Sequence, residues 1–246
     1  MRFSANLGFL WADRPLPDAI RAAKAAGFDA VELHWPYEVP AAEVRAALEE
    51  TGLPCLGLNT RRGETGGLCA QPGRGAEART AIDEAVAYAR AIGAGAVHAM
   101  AGVAEGAAAE AAFREALAHA CETAPELTIL IEPLNRHDAP GYFLRTTGQA
   151  AELIAALGRP NLKLMFDCYH AQVTEGDLTR RFAGLRPIVG HVQFAGVPAR
   201  GRPDEGEIAF DRLLPALGWD GPMGAEYRPG GDTDATLGWL ERFRAL

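Results

Sequence analysis

The feature of the sequence that most constrains its fold is a regular alternation of two kinds of segment. Short runs rich in apolar and β-branched residues recur along the chain, and each is followed by an Ala-, Glu-, Arg- and Leu-rich segment with helical periodicity. Eight such pairs fill the 246 residues without a remainder. Parallel strands need helical crossovers, and eight right-handed units can close into a ring. The sequence therefore predicts an α/β protein with one (β/α)8 TIM-barrel domain over residues 1–246.

The predicted strands and helices follow one another in strict order. The strands are expected at 2–7, 30–34, 55–60, 96–100, 128–132, 162–167, 188–194 and 223–227. The helices are expected at 18–26, 41–51, 77–92, 108–124, 148–157, 177–185, 210–217 and 234–244. A doubly wound open sheet is the alternative, because alternation alone does not prove closure. The absence of a G-x-G-x-x-G motif after the first strand and of a P-loop lysine favours the barrel.

Composition argues against several classes of protein. The chain carries 24 basic and 32 acidic residues, a net charge of −8, which speaks against a nucleic-acid partner. Its apolar runs are interrupted by charged residues and glycine, so no membrane span is predicted. The N-terminus lacks a signal-peptide pattern, and the four cysteines form no C-x-x-C pair. These features predict reduced thiols and a cytoplasmic location.

Four polar residues stand at the ends of four successive predicted strands. They are Glu132 in ILIEP, Asp167 in LMFDCYH, Gln193 in HVQFAG and Glu226 in MGAEY. Neighbouring strands of a closed barrel bring such side chains to one mouth, where three carboxylates repel one another unless a cation or a proton lies between them. An all-oxygen set suits Mg²⁺ or Mn²⁺ better than zinc. The alternative is that strand ends simply become polar where they leave the core.

Histidines near the same face are candidate substrate contacts. His170 lies just past the end of the sixth strand, and a functional role is favoured for it. His191 points to the same side of the seventh strand as the glutamine two residues later, and a structural hydrogen bond is its alternative role. For His98, in the fourth strand, packing is slightly favoured.

Arginines in the long βα loops are candidate contacts for an acidic substrate, because a guanidinium group can clamp a carboxylate with two hydrogen bonds. Arg200, in the loop after the seventh strand, is the favoured candidate. Arg61 and Arg62 begin the loop after the third strand, and an ordinary surface role is favoured for them.

Seven short motifs together resemble the hydroxypyruvate isomerase family, which belongs to the xylose isomerase-like sugar isomerase and epimerase barrels. The motifs, in chain order, are RFSANL, VELHWPYE, LIEPLN, FDCYH, GHVQFA, RGRPDEGEI and AEYRP. The resemblance extends from the first strand to the last helix. It implies a metal-assisted aldose–ketose isomerase that acts on a small hydroxy-keto acid.

The resemblance also implies roles for individual residues. Glu132 and Glu226 are implied as the catalytic acid/base pair, on opposite sides of the substrate. The implied ligands of a divalent metal ion, Mg²⁺ or Mn²⁺, are Glu132, Asp167, Gln193 and Glu226. The residues that we predict to bind substrate are His170, Arg200, His191, Asn6 and Asn135.

Several functions remain open at this point. Interconversion of hydroxypyruvate and tartronate semialdehyde is the leading reaction, and the alternatives on the same barrel are 2-oxo-tetronate isomerisation, C3 epimerisation of a ketose and inosose-type dehydration. A metal-dependent nuclease is a further alternative, but six histidines in all and the acidic net charge argue against it. A non-catalytic metabolite-binding protein is the last. The predicted partner is a small molecule, and assembly into a homo-oligomer stays open.

Overall fold

The computed structural model describes all 246 residues, and its eight strands form one parallel sheet. The strands are β1 (Phe3–Asn6), β2 (Ala30–Glu32), β3 (Leu58–Asn59), β4 (Ala96–His98), β5 (Thr128–Ile131), β6 (Leu162–Asp167), β7 (Val189–Phe194) and β8 (Met223–Ala225). The helices are α1 (Leu16–Ala25), α2 (Ala41–Thr51), α3 (Gly75–Ile92), α4 (Gly106–Thr123), α5 (Thr147–Leu157), α6 (Cys168–Thr174), α7 (Leu178–Leu185), α8 (Phe210–Leu217) and α9 (Gly238–Arg244).

The sheet closes on itself between β2 and β3. The other strands pair in the order β2-β1-β8-β7-β6-β5-β4-β3, all of them parallel. Between β2 and β3 only Val31 and Cys55 form a bridge, but backbone hydrogen bonds continue on both sides of it. Leu33 N–H donates to the carbonyl of Gly57 (3.0 Å), and Asn59 N–H donates to that of His34 (2.9 Å). The predicted TIM barrel is therefore confirmed.

The regular elements differ from the predicted ones mainly after β6. A seven-residue helix, α6, follows this strand directly and was not predicted, because it is too short to show a helical pattern. The side chain of Asp167 caps α6 by accepting the N–H of Tyr169 at 2.8 Å. His170 therefore lies in the first turn of a helix that begins at the barrel mouth.

Side chains alternate between the barrel interior and the helix layer, and this alternation positions the site. In β6, Phe166 faces outward and packs on Phe182 of α7, with ring centres 5.3 Å apart. Its neighbour Met165 instead packs with Ala96 and Leu130 in a small cluster separate from the main core. Asp167, two residues after Met165, therefore points into the barrel.

The main core lies between the strands and the helices. Trp239 of α9 is fully buried against Phe3 of β1 and Phe194 of β7, at ring-centre distances of 5.3 and 5.6 Å. Replacing such a buried aromatic side chain with alanine typically costs about 3–5 kcal/mol. This contact ties the last helix to the first strand. No helix has both the length and the apolar character that crossing a bilayer requires.

Candidate active site

The four predicted strand-end residues meet at the C-terminal mouth of the barrel. Glu132 follows β5 directly, Asp167 ends β6, Gln193 lies in β7 and Glu226 follows β8 directly. The strand register places Asp167 beside Gln193, and Gln193 beside Gly224, two residues before Glu226. All four polar side chains are buried. The fold therefore brings this set together, and its role in binding a metal is a proposal taken up below.

The guanidinium group of Arg200 lies among these carboxylates. Its Nη2 donates to Oε2 of Glu226 and lies 3.6 Å from Oδ2 of Asp167. Its central carbon lies 4.9 Å from the ring centre of Phe9 and 5.2 Å from that of Tyr169. Such cation–π contacts hold the guanidinium in place. Arg200 is itself buried and offsets part of the negative charge of the site.

Glu226 is the carboxylate with the most donors around it. Its Oε1 accepts the side-chain N–H of Asn6 at 3.1 Å and lies 2.9 Å from Nε2 of His34, while its Oε2 is bonded to Arg200. Burial raises the pKa of Glu226, but the positive charge of Arg200 and the hydrogen bond with His34 outweigh burial and lower this pKa to about 2. Glu226 is therefore ionised at neutral pH.

Glu132 and Asp167 lie in the opposite kind of environment. Burial and the negative charges of Glu226 and Asp167 raise the pKa of Glu132 well above its ordinary value. Burial also raises the pKa of Asp167, to about 7, although Arg200 opposes this shift. The site thus holds two glutamates whose pKa values are pushed in opposite directions, a pattern typical of acid/base pairs.

The hydrogen bonds of His170 fix which of its ring nitrogens carries the proton. The backbone N–H of Asn135 donates to Nδ1 at 3.0 Å, so Nδ1 is the acceptor and Nε2 carries hydrogen in the neutral ring. Burial and the charge of Arg200 lower the pKa of His170 to about 3, so the ring is neutral. Nε2 lies 3.9 Å from Glu132 and 3.6 Å from Asp167. Because Nε2–H is a donor, it suits a substrate oxygen better than a metal ion.

Three buried oxygen atoms at the mouth have no hydrogen-bond partner. They are Oε1 of Glu132, Oδ2 of Asp167 and Oε1 of Gln193. An unpaired buried polar atom costs about 1–3 kcal/mol, so such atoms are uncommon unless a ligand or ion completes them. A ligand oxygen of Glu132 and one of Asp167 lie within 4.8 Å of each other, close enough to share one cation, and oxygen donors are the ligands that Mg²⁺ and Mn²⁺ prefer. The residues at this point therefore fit a metal ion.

A cavity of about 480 Å³ opens above these residues on the C-terminal face. Glu132, His170, Arg200 and Glu226 line its floor, and its wall includes the ring of Trp35. The volume is ample for a molecule of three to six carbon atoms, at roughly the lower end of the range of ligand pockets. Active sites of TIM barrels lie on this face. We therefore take it as the candidate active site.

Three other residues that were predicted to bind substrate do not line the cavity. Asn6 contacts Glu226 from below, and Asn135 is fully buried and holds His170, so neither lines the cavity. His191 lies deeper in the barrel, with Nε2 at 3.0 Å from a carboxylate oxygen of Glu32. Their binding of substrate stays a prediction.

The two arginines at the start of the β3 loop separate in the structure. Arg61 lies outside the cavity and pairs with Glu84 of α3 at 2.6 Å. Arg62 instead lines the cavity rim, where its guanidinium carbon lies 5.7 Å from the ring centre of Trp35.

Three residues at or beneath the mouth were not singled out as site residues from the sequence. His34 contacts Glu226, and Glu32 lies one layer below. Both occur in the motif VELHWPYE at a spacing of two, which places them on one face of β2 and its continuation. That spacing was the available signal. His98 lines the cavity with Nδ1 at 3.8 Å from Glu132, although packing was favoured for it.

Comparison with known proteins agrees with the fold. Residues 20–243 match a family described as a xylose isomerase-like TIM barrel. The chain belongs to this family. The match begins within α1 and ends within α9, so it covers every strand except β1. The matched residues therefore include Glu132 and Glu226, which line the cavity floor.

Three similar proteins in this family differ in name. The chain is 42% identical to the 2-oxo-tetronate isomerase of Cupriavidus necator, covering 98% of each protein. It is 34% identical to the hydroxypyruvate isomerase of Escherichia coli, covering 99% of this chain and 100% of that protein. A crystal structure from Brucella melitensis, described as AP endonuclease, family 2, is 36% identical with a TM-score of 0.94, covering 98% of each chain.

Proposed function

We propose that this protein is an isomerase of a small hydroxy-keto acid, with the interconversion of hydroxypyruvate and tartronate semialdehyde as its leading reaction. The observation that carries the proposal is that Glu132 and Glu226, delivered by β5 and β8, line one cavity together with Arg200. The names of the Cupriavidus and Escherichia relatives support the same class of substrate.

The reaction moves a carbonyl group by one carbon through an enediolate. A base removes a proton from C3 of hydroxypyruvate, and the electron pair forms a C2–C3 double bond while negative charge develops on O2. A proton is then added at C2 as the C3 carbonyl forms, and the hydroxyl proton passes from O3 to O2. No atom is gained or lost, so the reaction needs only groups that hold and move protons.

The two glutamates are suited to this task in different ways. Oε1 of Glu132 is the oxygen that would face a metal ion, which leaves Oε2, 3.8 Å from Nδ1 of His98 and without a hydrogen bond, to take and return the carbon-bound proton. Both oxygens of Glu226 already accept donors, which makes it the weaker base of the pair. The Nε2–H of His170 can donate to a substrate oxygen in the same cavity.

The residues that would hold a metal ion are Glu132, Asp167, Gln193 and Glu226. When bound, a divalent cation supplies positive charge that stabilises an enediolate. Glu226 can join the set only by exchanging one of its present donors. Arg200 is the donor that we expect Glu226 to give up, because a bound cation would supply the positive charge that Arg200 now provides there. We propose Mg²⁺ or Mn²⁺, because the four groups present oxygen ligands.

Removal of metal gives the first test of this arrangement. We expect exhaustive dialysis against EDTA to lower kcat/KM for hydroxypyruvate by about 10²–10³, the usual effect of losing one group that stabilises the transition state. Added Mn²⁺ or Mg²⁺ should restore the activity and raise the melting temperature, since a ligand that binds the native state stabilises it. Full activity in protein shown to be metal-free would contradict metal assistance.

Two arginines at the rim of the cavity are available to bind an anionic substrate. Arg62 and Arg228 are exposed there and form no ion pair, although Glu64 and Asp138 line the same cavity. The guanidinium carbon of Arg228 lies 6.0 Å from the ring centre of Phe9, which also contacts Arg200. An arginine can bind a carboxylate with two parallel hydrogen bonds. The carboxylate of a 2-oxo acid can therefore bind to one of these arginines at the entrance to the cavity.

Substrate class is tested by comparing acids with neutral sugars. Purified protein with Mn²⁺ is incubated in D₂O with hydroxypyruvate, 2-oxo-tetronate or a neutral ketose, and product formation and deuterium uptake are followed by NMR. We expect kcat/KM for the acids to exceed that for the ketose by about 10² or more, because a missing charged group leaves its binding site unpaired. A ketose as the best substrate would overturn the proposal.

Two alternatives have specific support and are arms of the same experiment. The 42% identity to the Cupriavidus enzyme favours 2-oxo-tetronate, which would then react faster than hydroxypyruvate. The likeness to the Brucella protein makes cleavage of abasic-site DNA worth measuring. The net charge of −8 disfavours that activity.

We also propose a cytoplasmic location, in line with four cysteines that are all free and buried.

A further inference from the structure

Glu32, the last residue of β2, is a buried carboxylate one layer below the proposed metal ligands. It accepts hydrogen bonds from Nε2 of Gln193 at 2.8 Å, from Nδ2 of Asn6 at 3.4 Å and from the hydroxyl of Ser4. Nε2 of His191 lies 3.0 Å from its Oε1. Glu32 thus connects β2 to β1 and β7 across the barrel interior.

The barrel leaves space for this carboxylate at Gly224 of β8. A Cβ atom at Gly224 would lie 2.2 Å from Oε1 of Glu32 and 2.9 Å from Cγ of Gln193. The backbone of Gly224 is ordinary strand, so the glycine is needed for space and not for a special conformation. Strand β8 therefore has room for the side chain of Glu32 beneath the mouth.

The groups around the Glu32 carboxylate are arranged as donors. Ser4, Asn6 and Gln193 each turn an O–H or N–H group toward its oxygens. The two oxygens of Glu32 therefore act as acceptors for three side chains. His191, which the sequence suggested as a substrate contact, faces Glu32 instead, with Nε2 3.0 Å from Oε1.

The acceptor oxygens of Glu32 determine which way two neighbouring amides point. Glu32 binds the NH₂ group of Gln193, so Oε1 of Gln193 faces the other way and is buried without a partner. The strand register pairs Gln193 with Asp167. The amide of Asn6 is fixed similarly, since its Oδ1 accepts Gly8 N–H at 3.0 Å and its NH₂ group contacts both Glu32 and Glu226. A side chain with fewer acceptor oxygens at position 32 would no longer fix both orientations.

We propose that Glu32 is a positioning residue that holds Gln193 with its oxygen toward the divalent cation and Asn6 toward Glu226. This inference rests on the proposed function, because it assigns Gln193 to the metal. Groups that orient metal ligands typically change metal affinity by about 10- to 100-fold when they are replaced.

The test is the affinity for Mn²⁺, measured by isothermal titration calorimetry on the full chain. We expect Glu32→Gln to weaken Mn²⁺ binding by about 10- to 100-fold, because glutamine offers one acceptor oxygen to the donors that Glu32 binds with two, so the amide of Gln193 is no longer held in one orientation. The matched control is Glu38→Gln, which removes an exposed carboxylate from the segment after β2. It should bind Mn²⁺ as the wild type does.

A charge-swapped double variant separates positioning from general damage. In Glu32→Gln/Gln193→Glu the NH₂ group at position 32 can donate to one oxygen at position 193 and leave the other oxygen for the metal. We expect this pair to recover at least tenfold of the affinity lost by Glu32→Gln, in line with the cost of one misoriented ligand. Because the added carboxylate attracts Mn²⁺ by itself, Gln193→Glu alone is the reference: positioning predicts that the double variant binds Mn²⁺ more tightly than Gln193→Glu, and loss of barrel packing alone predicts that it does not.

The outcomes distinguish this inference from the proposed function. Wild-type protein that binds no Mn²⁺ contradicts the metal site itself. Wild-type binding with unchanged affinity in Glu32→Gln overturns only the role of Glu32, as does a double variant without recovery. If Glu32→Gln does not fold by circular dichroism, Glu32→Asp serves instead. It keeps the charge but withdraws the carboxylate from Gln193, and the same weakening is expected.

Discussion

Replacement of Glu132 with glutamine is expected to lower kcat for hydroxypyruvate isomerisation by about 10³, within the range of 10²–10⁴ that a positioned acid or base contributes. Glutamine keeps the size and the polarity of the side chain but cannot take up the carbon-bound proton. Deuterium exchange at C3, followed by NMR in D₂O, should fall by the same factor, because the first proton transfer is the step removed.

The stability of this variant distinguishes a catalytic group from a structural one. Glu132 is buried near two other carboxylates, and burial and those charges disfavour its ionised form. A neutral glutamine should therefore leave the melting temperature unchanged or raise it. The matched control is Glu126→Gln, before the start of β5, where an exposed carboxylate pairs with Arg90 at 2.8 Å. A Glu132→Gln enzyme within tenfold of the control would rule out Glu132 as the base.

Much of the fold could be predicted because the information is local. Each strand and its following helix differ in periodicity over about ten residues, so alternation can be counted along the chain. The closure between β2 and β3 could not be predicted, because it depends on one bridge between Val31 and Cys55 and on a few backbone hydrogen bonds beside it. Helix α6 was missed because its seven residues are too few to show a helical pattern.

The candidate site divides in the same way. Glu132 and Asp167 could be found because each follows an apolar run at the end of a strand. His34 could not be placed, because its partner Glu226 lies 192 residues away in sequence and meets it only after the barrel closes. The tautomer of His170 could not be predicted either, because it follows from one backbone hydrogen bond with Asn135.

Replacement of Arg200 with methionine is expected to have the largest effect on stability. Methionine retains much of the apolar contact with Phe9 and Tyr169 but removes the charge that faces Glu226 and Asp167. Leaving buried carboxylates without their partner typically costs about 3–5 kcal/mol. In a chain of this size we expect the melting temperature to fall by roughly 2–4 °C for each kcal/mol. The control is Arg202→Met, where a partly exposed arginine pairs with Asp204 and where about 0–1 kcal/mol is expected.

The dependence of this effect on pH and metal follows from the charge that Arg200 supplies. In the wild type, Arg200 together with His34 lowers the pKa of Glu226 to about 2, from an ordinary value of 4.5. This contribution to stability is present above the unfolded pKa and is lost as the pH falls through the folded pKa. The difference in melting temperature between Arg200→Met and wild type should therefore be largest at neutral pH and shrink as the solution is acidified below the unfolded pKa.

Mn²⁺ should stabilise Arg200→Met more than wild type, because the cation replaces the missing charge and Glu226 is free to bind it. Equal stabilisation of the two proteins by Mn²⁺ would show that Arg200 and the metal do not share these carboxylates.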